Sequence, residues 1–364
     1  MTPNPLLGVV FHWLGGLFSA SFYVPYKRIR FWSWEVFWLT GGIFSWVLCP
    51  WFFAYLQTNE LINVLSNTDI SVLRECYLWG LGWGFGGLTF GLAVRYMGIS
   101  SGMAIVLGLT TVLGTLGPPL FNGTLGDVLN TTSGQIAFVA VFVTLIGVYL
   151  VARATNERNK VVSANEKIQI AHGEMPEHHD EGSVDIKKGI LIALFSGVMS
   201  SCFAFGIAAG EPVRAATLAA GTAHLWQGLP VLCVVLSGGL TTNAIWCIYL
   251  IIKNRTGNQF IGAAEGGGRI QGGQIIKNYL LAALGGALWY FQFFMYTMGE
   301  TNMGKYQFSS WTIHMASIII FSTLWGLVLL EWKGANKKSR SLLFSGITLL
   351  VLATVAIGLG NSLQ

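Results

Sequence analysis

Apolar stretches of about 20 residues or more alternate with short polar segments along the whole chain, and each is long enough to cross a hydrocarbon core of about 30 Å as a helix. The first stretch has neither the basic flank nor the small-residue cleavage site of a signal peptide, so we expect it to remain as a helix. The pattern predicts an all-α integral membrane protein. Its ten predicted transmembrane helices cover residues 6–26, 33–56, 74–97, 99–121, 132–154, 187–209, 224–252, 276–299, 306–330 and 341–361.

Cationic side chains are concentrated in every second loop between these stretches. Eighteen of the 21 Lys and Arg residues lie in the odd-numbered loops, whereas the even-numbered loops hold only Arg74, Arg214 and Lys305. Cytoplasmic loops of membrane proteins collect Lys and Arg, so this pattern predicts orientation as well as helix count. We expect both termini outside the cell and the basic loops inside it.

The composition agrees with a membrane protein and excludes several other classes. The chain is 53% hydrophobic and only 10% charged, against about 25% charged residues in soluble domains. The net charge of +5 could suggest nucleic-acid binding, but the cations flank apolar spans, which is typical of topological charge. The five cysteines have no metal-ligand spacing, so we expect buried free thiols. No metal, cofactor or nucleic-acid partner is predicted.

The longest polar segment divides the chain into two halves. We predict a first five-helix half at 1–154, a polar cytoplasmic linker at 155–186 and a second five-helix half at 187–364. Because each half holds an odd number of helices, the second half enters the membrane from the opposite side, as in an inverted-topology repeat with its substrate site near the midplane. His178 and His179 in the linker could suggest metal binding, but a solvated loop is the favoured interpretation.

The sequence gives little support for enzyme chemistry. The glycine-rich run Gly80 to Gly91 lies inside the third apolar stretch and not between a strand and a helix, where a nucleotide site would need it. Small residues let helices approach closely, so helix packing is one interpretation. The other is that the missing side chains leave room for a solute beside Trp83. Both stay open, and we predict that the protein is not an enzyme.

Two histidines lie deep within predicted helices. His12 is about 9 Å and His314 about 12 Å from the nearer helix end, at 1.5 Å per residue. An ionisable group at such depth is a candidate functional residue, and the ordinary pKa of imidazole, about 6.5, suits a proton carrier. The alternative for each is a neutral histidine that hydrogen-bonds to a neighbouring helix.

Polar and aromatic side chains accompany these histidines. In the eighth predicted helix Trp289, Gln292 and Tyr296 share one face, at i, i+3 and i+7, and Tyr290 lines the adjacent face. An amide is costly in hydrocarbon, so Gln292 must face protein or a wet cavity.

The ninth and first predicted helices extend this set. Gln307, Trp311 and His314 are spaced i, i+4 and i+7, and Tyr23 lies eleven residues after His12. Aromatic rings combined with amide, hydroxyl and imidazole groups suit a sugar, because rings stack on its C–H faces while polar groups bond its hydroxyls. An interfacial aromatic belt is the alternative.

Several strings of the sequence resemble the L-rhamnose–proton symporters. They are Phe11-His12-Trp13-Leu14-Gly15, Phe22-Tyr23-Val24-Pro25-Tyr26-Lys27-Arg28, Trp32-Ser33-Trp34-Glu35, Leu284-Gly285-Gly286, Trp289-Tyr290, Gln292-Phe293-Phe294, Trp311, His314-Met315 and Glu331-Trp332. The resemblance implies the drug/metabolite transporter fold, with two inverted five-helix halves and helices 1, 3, 4, 6, 8 and 9 around a central cavity. It also implies proton-driven uptake of L-rhamnose, or a related sugar, across a bacterial inner membrane.

Our sequence-based interpretation is a proton-coupled sugar symporter that works by alternating access, and a monomer is expected. The alternatives are a facilitator or sodium-coupled carrier of another small metabolite, and a non-transporting membrane sensor. His314, with His12, is predicted to carry the proton. The predicted sugar-binding residues are Tyr23, Trp83, Trp289, Tyr290, Gln292, Tyr296, Gln307 and Trp311.

Overall fold

The computed structural model describes residues 3–97, 99–171 and 186–363, and within these ranges the chain is helical, apart from turns and one isolated bridge between Ala263 and Arg269. The long helices are α1 (Pro5–Ser21), α2 (Trp34–Ile43, Phe44–Leu48 and Cys49–Gln57), α3 (Ile70–Met97), α4 (Ile99–Phe121), α5 (Thr132–Ala171), α6 (Ile186–Ala209), α7 (Leu229–Asn254), α8 (Gly272–Asn302), α9 (Ser310–Val328) and α10 (Lys337–Asn361). The middle part of α2 is a π-helical turn.

The prediction of an all-helical membrane protein is confirmed. The number of confirmed candidate spans in the described residues is nine, against the ten that were predicted. Nine segments of the described chain are long and apolar enough to cross a membrane, and they match nine of the ten predicted stretches. The remaining stretch, 74–97, forms α3, which has 28 residues and is therefore about 42 Å long. Its central part is less apolar than the other stretches, because it contains six glycines and two tryptophans between residues 79 and 91.

The helix bundle has two chemically different ends. Near the termini, Gly8 packs against Met303, and the hydroxyl of Ser133 donates to the carbonyl of Gly360 at 2.6 Å. At the other end, the Lys27 ammonium lies 3.5 Å from Glu331. We call the first the terminal end and the second, which holds the odd-numbered loops, the basic end. The charge segregation read from the sequence therefore corresponds to two opposite surfaces of the molecule.

Close helix contacts position the interior. Helix α1 packs on α8 and α9, α6 packs on α3 and α4, and α5 packs on α10. Two helix backbones come into contact where a glycine faces the backbone of another helix. Examples are Gly286 against Gly41 and Gly80 against Val235, where a Cβ atom has no room. Small residues at helix crossings are typical of membrane bundles, which lack a hydrophobic driving force between helices.

The glycines of α3 support the packing interpretation at four positions. Gly80, Gly82, Gly84 and Gly86 face α6 or α7 closely, whereas a Cβ at Gly87 or Gly91 would meet nothing within 4 Å. The five cysteines are free, four of them buried and Cys49 half-buried, as predicted.

The boundaries of two helices differ from those that the sequence pattern predicts. Helix α5 continues through Ala171, past the predicted boundary at 154, because residues 155–171 are polar but contain neither glycine nor proline to stop a helix. The rest of the linker, with His178 and His179, lies outside the described residues. Helix α9 starts at Ser310 and not at 306, because residues Gly304–Ser309 form a 3₁₀ turn.

Candidate functional site

The two predicted histidines meet in the centre of the bundle. The ring centroids of His12 on α1 and His314 on α9 are 6.1 Å apart. Tyr296 on α8 lies between them, with its ring 5.3 Å from His12 and 5.2 Å from His314. His12 is fully buried and His314 is 1% exposed. Glycines permit this meeting, because Gly15 lies against His314 and Gly299 lies against His12.

Trp311 is fixed beside the histidines by helix α4. Its ring is 5.8 Å from Tyr296 and 6.3 Å from His314. The indole Nε1 donates a hydrogen bond of 2.9 Å to the carbonyl of Thr110, and the ring covers Gly114, where a Cβ would have no space. The ring is therefore held in one orientation, with its polar atom satisfied by protein. We call His12, Gln292, Tyr296, Trp311 and His314 the central cluster.

An aromatic wall continues from the central cluster. Phe203 on α6 stacks on Trp311 with a centroid distance of 5.7 Å and lies 4.6 Å from Phe293. The predicted site residue Trp83, on α3, packs edge-on against both Phe203 and Phe293 at 5.3 Å. Side chains from α1, α3, α6, α8 and α9 and the backbone of α4 thus surround one region.

Many polar atoms in this region have no protein partner. Among the described residues, the buried side-chain atoms without a hydrogen bond include both ring nitrogens of His12 and of His314 and the amide nitrogen of Gln292. The Trp289 Nε1 and the Tyr290 hydroxyl are unpaired as well. A buried polar group left without a partner costs about 1–3 kcal/mol. Five of the ten predicted site residues carry such atoms, which are free to bond to a molecule other than the protein.

The remaining residues of α8 extend the region towards the basic end. Trp289 is half-buried and its ring lies 4.3 Å from Phe22. Tyr290 is fully buried and stacks on Phe53 of α2 at 5.7 Å. Gln292 is 2% exposed, one helical turn from Tyr296, and its carbonyl lies against Gly15 of α1. The face predicted from the spacing on α8 therefore points into the bundle.

Two predicted residues are not brought to the central cluster. Tyr23 is 48% exposed and contacts the rings of Phe22 and Tyr26. It follows the end of α1, because Pro25 lacks the N–H that would continue the helix. Gln307 is half-buried in the 3₁₀ turn before α9, so it leaves the helical face it was predicted to share with Trp311.

The central cluster is closed in this structure. Its five side chains are between 0% and 3% exposed. Two surface cavities, of about 400 and 560 Å³, lie at the terminal and basic ends, and none of the central cluster residues lines either of them. Helices must therefore move before a monosaccharide can reach the unpaired polar atoms.

Sequence reasoning missed four residues that shape this region. Phe203 gave no signal, because it is one phenylalanine in an apolar helix. Trp46, whose buried Nε1 is unpaired, lies in the π-helical turn of α2, which residue spacing does not predict. Glu300 continues the Trp289 face at i+11, and its partner Arg214 is one of the three cations outside the basic loops. Those two signals were available in the sequence.

Comparison with known proteins agrees with this picture of a membrane carrier. The family model of the L-rhamnose-proton symport protein matches residues 1–363. An L-rhamnose-proton symporter of Citrobacter koseri is 33% identical over 359 residues, covering 97% of each chain. Those of Salmonella paratyphi B and Salmonella newport are 34% identical over 357 residues, again with 97% of each chain covered. These relatives are named symporters, which confirms the prediction from the sequence that the protein is a transporter and not an enzyme. The chain belongs to the L-rhamnose-proton symport protein family.

Proposed function

We propose that this protein carries L-rhamnose, or a closely related monosaccharide, into the cell together with protons by alternating access. The observation that carries the proposal is the group of buried, unpaired polar atoms among stacked aromatic rings in a chain of this family. A sugar supplies what these atoms lack, because each hydroxyl both donates and accepts a hydrogen bond. The indole and phenol rings cover its apolar C–H faces.

The sugar is held by side chains of α3, α8 and α9 in this proposal. Gln292, Trp289 and Tyr290 offer unpaired polar atoms. Tyr296, Trp311 and Trp83 offer ring faces beside them. Tyr23 and Gln307 lie nearer the bundle ends, so their part in binding requires the helices to rearrange when the cavity opens.

The proton is carried by the imidazole of His314, with His12 as its neighbour. The two rings are 6.1 Å apart and both nitrogens of each ring are unpaired in the described part of the chain. Two imidazolium charges at this distance repel each other, so the pair favours one proton at a time. Sugar and proton bound side by side each favour the binding of the other, which is the linkage that symport requires.

The proposed architecture is ten transmembrane helices in two inverted five-helix repeats, the drug/metabolite transporter fold. Helix contacts support it, because they are preserved when each helix is exchanged for the one five positions away. The pair α1–α8 corresponds to α6–α3, α1–α9 corresponds to α6–α4, and α2–α8 corresponds to α7–α3. We keep the proposed division into the halves 1–154 and 187–364 and the linker 155–186, with the last part of α5 inside the linker.

The proposed location is a bacterial inner membrane, with the basic end in the cytoplasm, both termini in the periplasm and a single chain as the working unit. A cysteine in the linker, Ser183→Cys, is expected to react with a membrane-impermeant thiol reagent only after cells are opened. A cysteine in the loop between α4 and α5, Asn122→Cys, is expected to react in intact cells. The reverse pattern overturns the orientation, which rests on the positive-inside rule.

Counterflow tests the proposed transport directly. Proteoliposomes loaded with unlabelled L-rhamnose are expected to take up labelled L-rhamnose transiently at equal pH. An inward proton gradient is expected to raise the internal concentration of L-rhamnose above the external concentration, whereas a sodium gradient is not. If labelled L-rhamnose does not exchange, the sugar assignment is wrong; if it exchanges without a response to the proton gradient, the protein is a facilitator.

A further inference from the structure

A buried ion pair joins two segments at the terminal end of the bundle. The Arg214 guanidinium lies 3.3 Å from the Glu300 carboxylate near the end of α8, and the two side chains are only 7% and 10% exposed. Arg214 also binds Glu211, whose carboxylate is 2.6 Å away and 65% exposed. Removing charges from water is costly, so a buried pair between separate elements is rarely kept for stability alone.

Glu300 is the first charged group on α8 beyond the central cluster. It lies one helical turn after Tyr296, and the glycine that precedes it, Gly299, packs against His12. The carboxylate therefore lies on α8 between the terminal end of that helix and Tyr296.

Arg214 belongs to a short helix that faces the bundle on one side and a cavity on the other. In the helix Glu211–Ala219, the buried residues Val213, Arg214 and Thr217 face the bundle. Pro212, Ala216 and Ala219 on its opposite face line the terminal-end cavity of about 400 Å³. Gly210 precedes the helix, and Gly221, with φ +82°, follows it. The helix therefore has space behind it and a flexible residue at each end.

The segment that follows this helix covers the end of α8. Gly228 packs against Thr297, and the Trp226 ring lies 5.5 Å from Phe294. The Gln227 amide donates a 3.4 Å hydrogen bond to the Thr301 hydroxyl. These contacts and the ion pair join residues 211–228 to α8, and the Asn59 N–H donates to the Thr222 hydroxyl at 2.9 Å.

We propose that residues 211–228 are the gate of the central cluster at the terminal end, and that the Arg214–Glu300 ion pair is a latch that opens when Glu300 takes up a proton. This gate rests on the proposed symport and explains how proton uptake and sugar access are linked. Neutral Glu300 does not attract Arg214 by charge, and Arg214 keeps its exposed partner Glu211. The short helix then moves into the cavity behind it and uncovers the histidines.

Closing the gate moves the proton inward. The ion pair re-forms only when the O–H bond of Glu300 breaks, and the proton then forms an N–H bond on an imidazole of the central cluster, past Tyr296. The protonated histidine is consequently produced only when the terminal end is shut.

Several titratable or charged groups surround Glu300 and share in this equilibrium: Arg214 and Glu211 on the short helix, Tyr296 on α8, His12 on α1, His224 in the covering segment, and Cys76 on α3 beside Arg214.

A cysteine under the gate tests the proposal. In a protein whose five native cysteines are replaced by serine or alanine, Thr297→Cys places a thiol against Gly228, where it is buried. A membrane-impermeant maleimide is applied from the outside at pH 6, 7 and 8. Each rate is divided by the rate for the exposed Asn122→Cys thiol at the same pH, which removes the intrinsic pH dependence of thiol reactivity. A one-proton latch is expected to raise the corrected rate as the pH falls, by up to about tenfold per pH unit.

Two matched variants locate the titrating group. Glu300→Gln, which resembles the protonated side chain, is expected to give rapid labelling that does not change with pH. Glu211→Gln removes the exposed partner of the same arginine and is expected to keep the pH dependence. If the Glu300→Gln protein keeps the original pH dependence, Glu300 is not the latch. Should that variant fail to fold, flat labelling of the Thr297→Cys protein between pH 6 and 8 still overturns the proposal.

Counterflow of L-rhamnose on the same proteins separates this gate from the proposed transport. Counterflow with flat, pH-independent labelling overturns the gate and leaves the transport assignment standing. Loss of counterflow in the otherwise unchanged protein, with pH-dependent labelling, overturns the sugar assignment and leaves the gate standing.

Discussion

Two groups of buried polar side chains lie in the same bundle and differ in one respect. At the basic end, the backbone N–H of Ser33 donates to Gln259 Oε1 at 2.7 Å, and Gln259 Nε2 donates to the Ser33 hydroxyl at 2.8 Å. Nearby, Glu35 accepts hydrogen bonds from Asn254 and Thr256 at 3.1 and 3.0 Å. In the central cluster, the amide nitrogen of Gln292 and the nitrogens of both histidines have no such partners among the described residues.

The difference separates structural polarity from polarity that serves a ligand. Both groups are removed from water, so both bear the cost of desolvation. At the basic end the protein itself supplies the partners, and the hydrogen bonds fasten the loop around Gln259 to the start of α2. In the central cluster we propose that the partners come from a molecule that binds and leaves. Burial without a protein partner, and not burial alone, therefore supports the proposed site.

The largest expected effect comes from the central histidines. His314→Gln keeps a hydrogen-bonding side chain but removes a group that titrates near neutral pH. We expect accumulation driven by a proton gradient to fall to the equilibrium level, while counterflow at equal pH survives in part, because exchange needs no net proton movement. Uptake of labelled L-rhamnose into proteoliposomes with and without a gradient measures both.

His12→Gln is the companion variant for this prediction. In the structure His12 lies seven residues into α1 and His314 four residues into α9, so the sequence-based order of depth is not kept. We expect a smaller loss of accumulation than in His314→Gln, because the proposal assigns the proton to His314 and gives His12 only the part of a neighbour. Gradient-driven uptake that is unchanged in His314→Gln would show that this residue does not carry the proton, and a greater loss in His12→Gln would transfer the role to His12.

The next largest expected effect distinguishes Gln292 of the central cluster from Gln259 at the basic end. Gln292→Ala is expected to weaken sugar binding by about 1–3 kcal/mol, the cost of a hydrogen bond lost in a desolvated site, which is about five- to a hundredfold in Kd. Gln259→Ala breaks two hydrogen bonds inside the protein, so we expect a lower thermal unfolding midpoint and an unchanged Kd. Calorimetry for binding and a thermal melt of the same purified samples measure the pair.

This contrast can fail in an informative way. Wild-type sugar affinity in Gln292→Ala would mean that the α8 face is packing surface, and that its unpaired amide nitrogen has no ligand to meet. A loss of affinity in both variants would mean that the basic-end group and the central cluster are energetically coupled.

Most of the architecture was readable from the sequence, because it follows from long-range hydrophobic and charge patterns. The apolar stretches matched nine candidate spans, and α3 is helical where the tenth was predicted. Local features were not readable to the same degree. The 3₁₀ turn before α9, the π-helical turn of α2 and the extension of α5 to Ala171 depend on backbone hydrogen bonding, which side-chain hydropathy does not report.

The candidate site was readable where a single regular helix carried it. The i, i+3, i+7 spacing on α8 correctly put Gln292 and Tyr296 on an inward face, since helical period fixes direction. The same reasoning did not bring Tyr23 and Gln307 to the cluster, because each lies beyond a helix end. The contacts of Phe203 and the pairing of Arg214 with Glu300 join distant parts of the chain, and no spacing within one helix predicts them.

The smallest expected effect compares two indole N–H groups. Trp289 Nε1 has no partner among the described atoms, whereas Trp32 Nε1 donates to the carbonyl of Gln259 at 3.1 Å. Replacement by phenylalanine keeps a ring and removes the N–H, which is worth about 0.5–1.5 kcal/mol as a net hydrogen bond. We therefore expect Trp289→Phe to raise the Kd for L-rhamnose by about two- to twelvefold with a nearly unchanged melting midpoint. Trp32→Phe is expected to lower the midpoint and leave the Kd unchanged, since its lost partner is protein. An unaltered Kd in Trp289→Phe would assign its indole to packing against Phe22, and would restrict the sugar site to the histidine side of α8.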